Sequence, residues 1–233
     1  MAETAGNAVP MHHRIGGLER FHATHSYWAV LCALGVVFFF AALAPDAAWA
    51  AAVLVLIETA TLVLALRTAG WKITQSRLVF GLVALGFSAA IADILWNTSA
   101  MNGVIGVLGG LLTLALASVI ALGAVEQGDV NSKSVAGAIC VYVLLGLIFM
   151  HAFGVMAVLG HGSFFAQGTD GTRALRLYFS YTTLATLGYG DYTPAGNLGH
   201  ALAVLEALLG QLYLVTVVAV VVTRLGPRLR RGA

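Results

Sequence analysis

Apolar residues in this chain do not alternate with polar ones; they run on. Six stretches, residues 27–43, 49–66, 78–95, 101–125, 135–159 and 198–222, are almost wholly apolar, and short polar loops separate them. A helix needs about 20 apolar residues to cross the hydrocarbon core of a bilayer, and one that is apolar all round has no face for water. The pattern predicts an all-α membrane protein with six transmembrane helices. The rhythm breaks between the fifth and sixth stretches. There a glycine-rich loop (Gly160, Gly162, Gly168, Gly171) leads into residues 173–185, whose periodicity predicts a helix of about three turns. That helix is too short to cross. Thr186, Leu187, Gly188, Tyr189, Gly190 and Asp191 follow it directly, then Pro194 and the last stretch. Irregular backbone at membrane depth is tolerated only where it lines a cavity or is buried in protein.

Composition supports the membrane reading. The chain is 60% hydrophobic and 9% charged, against about 25% charged in soluble domains, which leaves no room for an ordinary soluble domain. A net charge of +2 points to no nucleic-acid partner. Placement says more than the sum. Arg14 and Arg20 precede the first span, Arg67, Lys72 and Arg77 join the second and third, and Lys133 lies between the fourth and fifth. Arg224, Arg228, Arg230 and Arg231 follow the sixth, whereas Arg173 and Arg176 are the only basic residues on the opposite side. The positive-inside rule then puts both termini in the cytoplasm. Trp28, Trp49, Trp71 and Trp96 fall at span ends, where aromatic belts form. Residues 1–26 lack the short apolar core of a signal peptide and read as a cytoplasmic N-terminal segment. The four arginines after the last span can meet anionic lipid headgroups. Cys32 and Cys140 lie inside spans and read as buried, inert thiols. No loop gathers a nucleophile, a base or a metal-ligand set, so the chain reads as neither an enzyme nor the holder of an organic cofactor.

The segment after the short helix suits one kind of chemistry. A dehydrated cation needs ligands that replace its water, and rings of backbone carbonyls supply them. Glycines at alternate positions ease the backbone angles that aim successive carbonyls to one side. Residues 177–191, Leu-Tyr-Phe-Ser-Tyr-Thr-Thr-Leu-Ala-Thr-Leu-Gly-Tyr-Gly-Asp, resemble the pore helix and selectivity filter of potassium channels. The resemblance extends from about residue 135 to the end of the chain. It implies a tetrameric pore whose carbonyls at Thr186, Leu187, Gly188 and Tyr189 coordinate potassium, with Gly190 completing the filter. It implies that Asp191 braces the filter from behind, that Tyr178 can hydrogen-bond it, and that Gly210 is a gating-hinge candidate. For Gly210, close helix packing is the equal alternative.

The chain departs from the family in places. The pore-helix aromatic pair is Tyr178-Phe179 instead of a Trp-dominated one, and Thr182 stands where some members have a carboxylate. Leu187 replaces the commoner Val or Ile, and Ala185 a frequent Thr or Ser. Glu206, a carboxylate inside the last span, needs a partner. It either braces the pore helix through Thr182, Thr183 or a neighbouring group, or faces the cavity and gathers cations. Arg173 and Arg176 either place positive charge at the outer mouth or snorkel to the headgroups.

The organisation that follows has three parts. Residues 1–26 form the cytoplasmic segment, 27–130 a four-helix module, and 131–233 a two-helix pore module with pore helix 173–185 and filter 186–190. The four-helix module has the layout of a voltage sensor without its charges, because residues 101–125 contain no Lys or Arg. Glu58 and Asp93 are left without the arginines such acids usually partner. They form either a sensing site for protons or cations or locally satisfied groups, Glu58 being neutral or bonded to Thr59. His151 and His161 near the outer leaflet are further pH-sensitive candidates, with ordinary packing or exposure as the alternative. The functional expectation is passive, potassium-selective conduction without conventional voltage sensing, by a homotetramer in a bacterial cytoplasmic (inner) membrane. Two other classes fit less of the pattern. One is a sensor or scaffold whose four-helix module binds a ligand or partner. The other is a transporter coupled through Glu58 and Asp93, though the paired repeats typical of transporters are missing.

Overall fold

A computed structural model describes residues 27–69, 81, 84, 88, 91, 99–126 and 132–230. Among them are six helices: α1 (Tyr27–Leu43), α2 (Ala48–Thr68), α3 (Ser99–Glu126), α4 (Ser132–Leu159), α5 (Arg173–Leu184) and α6 (Asn197–Arg230). Expectations placed on residues 1–26, on most of the span 78–95 including Asp93, on the linker 127–131 and on Arg231 lie outside the described residues, as do the side chains of Arg224, Arg228 and Arg230. Four segments are long and apolar enough to cross a membrane: Ala48–Thr68, Gly103–Gly123, Ser134–Leu159 and Asn197–Val217. Helix α1, with 17 residues, reaches about 26 Å at 1.5 Å per residue, just short of the hydrocarbon thickness of about 30 Å.

Local chemistry sets the ends of these helices. Pro45 closes α1, because the residue before a proline is pushed out of the α region. The Ala47 amide donates to the Pro45 carbonyl and turns the chain into α2. Thr172 caps α5 by accepting a 3.2 Å hydrogen bond from the Leu175 amide, three residues on. Along α5, Arg173, Leu177, Ser180 and Leu184 are buried, the spacing of a single helical face.

Two apolar clusters hold the elements together. The larger joins Val30, Leu34 and Val37 of α1 to Leu62 of α2, Leu116 and Ile120 of α3, and Leu144 and Leu147 of α4, reaching Leu177 on α5. The first helices therefore pack directly on the region that carries the short helix. The smaller is aromatic: Phe149, Phe153, Phe164, Phe165 and Phe179, with Phe153 centred 5.1 Å from Phe179 and 5.4 Å from Phe164. It pins the loop after α4 onto α4 and α5. The Ala166 amide donates to Thr193 O and the Ala195 amide to Phe164 O, at 2.8 Å each, which ties that loop to the stretch beyond residue 191.

Helix α6 differs from the rest. Only 11% of its apolar window is buried within the chain, against 39–44% in the other three long segments. The expectation that both thiols are buried is half right: Cys140 is buried, but Cys32 is exposed on α1.

Candidate functional site

Helix α5 ends at Leu184, one residue earlier than its sequence pattern suggests, and the next residues fold back onto its last turn. The amide of Thr186 donates to Thr183 O at 2.9 Å, and the amides of Leu187 and Gly188 donate to Thr182 O at 2.8 and 3.2 Å. These bonds satisfy carbonyls that a helix end leaves unpaired, and they turn three successive N–H groups toward the helix. Among the described residues the carbonyls of 186–190 accept no hydrogen bond.

Backbone hand alternates along this stretch. Thr186, Gly188 and Gly190 have φ of 57°, 55° and 77°, while Leu187 and Tyr189 between them keep negative φ. In an ordinary strand successive carbonyls point to opposite sides; reversing the hand at every second residue brings them toward one side. Glycine accepts the reversal without strain. Thr186 does so against the Cβ penalty of roughly 1–2 kcal/mol, and its amide bond to Thr183 helps to offset that cost. All of residues 186–190 are exposed in the single chain.

Side chains behind the strand hold it in place. Tyr178 Oη donates to Asp191 Oδ2 at 2.9 Å, as the sequence suggested, and this hydrogen bond is the main reason the phenol's pKa is raised. The Tyr178 and Tyr189 rings stack at 6.3 Å, 6° from parallel. Thr182 Oγ1 turns back to Phe179 O at 3.0 Å, so its carbonyl supports the strand and its hydroxyl does not. Tyr181 Oη donates to Val143 O at 2.6 Å, anchoring α5 to α4.

Glu206 is fully buried, and its partner is Ser180, not Thr182 or Thr183. Ser180 Oγ lies 2.5 Å from Glu206 Oε1 and 2.7 Å from Gly146 O. One hydroxyl proton cannot serve two acceptors. The Gly146 carbonyl can only accept, so both contacts are hydrogen bonds when Glu206 is protonated and donates to Ser180, while Glu206 Oε2 has no partner among the described residues. A neutral carboxyl is also what the interior of a bundle favours. It joins α4, α5 and α6 at one point.

Gly210 packs against the C-terminal end of α5. A Cβ there would overlap the Leu184 carbonyl, and α6 continues unbroken through it. Glu58 and His151 also meet, with Nε2 3.3 Å from Oε1, so Glu58 is paired with His151 and not with Thr59. Arg173 and Arg176 turn inward. Arg173 Nη2 donates to Pro45 O at 3.0 Å, and Arg176 Nη1 to Asp170 O and Gly171 O at 3.2 and 2.6 Å. Burial lowers both guanidinium pKa values, and Asp46 opposes the shift. Sequence reading allowed Glu206 a neighbouring group on the short helix without naming Ser180, and it missed His151 as the partner of Glu58. The buried face of α5 held a signal for Ser180; nothing in the spacing of residues 58 and 151 pairs them.

Residues 152–226 match the family model described as ion channel. They run from within α4 through α5 and the alternating strand into α6, about a third of the chain. The segment that carries the alternating strand is thus similar to the ion-channel family. Over 92 residues the chain is 30% identical to the inward rectifier potassium channel Kirbac3.1 of Paramagnetospirillum magnetotacticum, an alignment that covers 39% of this chain and 31% of that protein. The chain therefore spans about a third of the length of the curated relative it matches. No solved structure matches.

Proposed function

We propose that the protein is a subunit of a potassium-selective channel that conducts passively, and that four copies surround one pore. In this reading the carbonyls of Thr186, Leu187, Gly188 and Tyr189 bind dehydrated potassium, and Gly190 lets the strand reach the outer mouth. Asp191, Tyr178, Thr182 and Glu206 steady it, each through the contact described above. Residues 131–233 form the pore module. Residues 27–130 form a four-helix module without gating charges, and both termini lie in the cytoplasm of a bacterial cell.

The observation that carries the proposal is the alternation of φ at Thr186, Gly188 and Gly190, with neighbouring amides turned back to α5 and the carbonyls left unpaired. A carbonyl row with no protein donor is the ligand set a dehydrated cation needs. One strand is a quarter of a ring, and closed rotational symmetry is the usual way to complete it. Helix α5 adds to the field, since its C-terminal, negative end lies where the strand begins.

The test is potassium against sodium flux from purified protein in liposomes, with Gly188→Ala and Tyr189→Ala as controls. Barium-blockable potassium flux that both substitutions abolish supports the proposal. Equal sodium and potassium flux, or flux untouched by the substitutions, overturns it.

A further inference from the structure

Away from the alternating strand, a cavity of about 700 Å³ lies among α2, α3, α4 and the start of α5. Its polar lining consists of Asp46, Glu58, His151, Asp170, Arg173 and Arg176. Apolar residues fill the rest of its wall, and its volume is that of a small-molecule site. Two lining side chains are more than nine-tenths buried and incompletely partnered among the described residues. Glu58 is 4% exposed with Oε2 unpaired, and Arg173 is 8% exposed with Nε unpaired. One is an acceptor and the other a donor. Leaving either without a partner costs more than an ordinary hydrogen bond contributes. Glu58 Oε1 already pairs with His151, and Arg173 Nη2 with Pro45 O.

We propose that this cavity binds a small zwitterion, with its ammonium at Glu58 and its carboxylate at Arg173. Mixed charge favours a zwitterion over a simple ion. Two guanidiniums and three carboxylates line the same wall, so groups of both signs face the cavity and a molecule with both charges can meet each of them. Position favours a molecule that carries both charges: Glu58 and Arg173 line one cavity and act on each other electrostatically. The site touches the four-helix part through Glu58 and the first residue of α5 through Arg173. A bound molecule would therefore bridge the two parts of the chain.

The test is thermal unfolding of the full-length protein in detergent with a homologous series of probes: glycine, β-alanine, γ-aminobutyrate and ε-aminocaproate. Acetate and methylammonium, each carrying one of the two charges, serve as controls. The expected result is a rise in Tm of roughly 2–4 °C for one or two neighbouring members of the series, and none for the single-charge controls. Glu58→Gln and Arg173→Gln should each remove the rise. No shift with any of the four zwitterions would mean that water alone fills the cavity and would overturn the proposal. An equal shift with acetate or methylammonium, or one that survives in both variants, would overturn it as well. If a variant fails to fold, the comparison of zwitterions with single-charge probes on the unaltered chain still decides. No ion flux enters the readout, so the result is independent of the channel proposal.

Discussion

At the scale of single residues, the site depends on backbone angles that side chains resist. Gly188 sits at φ 55° with open space where a Cβ would point, so an alanine there meets strain and no collision. Gly188→Ala should destabilise the strand by about 1–2 kcal/mol and abolish potassium flux while the bundle still folds. Flux in liposomes and far-UV circular dichroism read the two effects separately. Glu206 tests proton bookkeeping. Glutamine has nearly the same shape and an amide that donates to Ser180, so Glu206→Gln should cost less than about 1 kcal/mol. Glu206→Leu removes the donor and should cost about 1–3 kcal/mol. Unfolding temperatures of the two variants decide between them; an equal, large loss in both would mean that the carboxyl is ionised.

At the scale of elements, the short helix α5 is located by what packs on it. Leu184, its last residue, meets Gly210 of α6 closely enough that a Cβ would strike backbone, which cannot move aside as a flexible side chain can. Gly210→Ala should therefore push α6 away from α5 and cost about 1–3 kcal/mol, seen as a lower Tm. A variant as stable as the parent, but with altered flux, would show that bending at this position matters and packing does not. The aromatic cluster holds the other end of α5. Phe153 is fully buried against Phe149, Phe164 and Phe179, and Phe153→Ala should cost about 3–5 kcal/mol, again read as Tm. The loop held by Phe164 and Phe165 would loosen first, exposing the amides of Phe165 and Ala166 to hydrogen exchange.

At the scale of the molecule, α6 has too much exposed apolar surface for a helix packed within its own chain. Leu198, Val204, Leu208, Leu212 and Val215 are each more than half exposed, along with the strand at residues 186–190. Neighbouring subunits would cover both at once, so native mass measurement in mild detergent should give a species of four chains. A monomer that nevertheless carries selective flux would contradict the proposed ring. The first core reaches from α1 to α5 without a break, so α1, α2, α3 and α4 pack as one body with the short helix that leads into the alternating strand.

Much of this was legible in the sequence, for reasons that differ by feature. Uninterrupted apolar runs announce helices in lipid because a single segment can satisfy its own backbone groups there only as a helix. The spacing of Gly188 and Gly190 announced a reversed backbone because only glycine adopts it without strain. Tyr178 and Asp191 could be paired because the resemblance to potassium-channel filters implied it. Glu206 announced that it needed a partner, since a buried carboxyl always does, but the choice of Ser180 depended on how α6 rotates against α5 and α4. The pairing of Glu58 with His151, the inward turn of Arg173 and Arg176, and the cavity they enclose depended on helices distant in sequence meeting side by side. Local patterns encode what a residue can tolerate. Which residue it meets is a property of packing, and only the tertiary structure decided it.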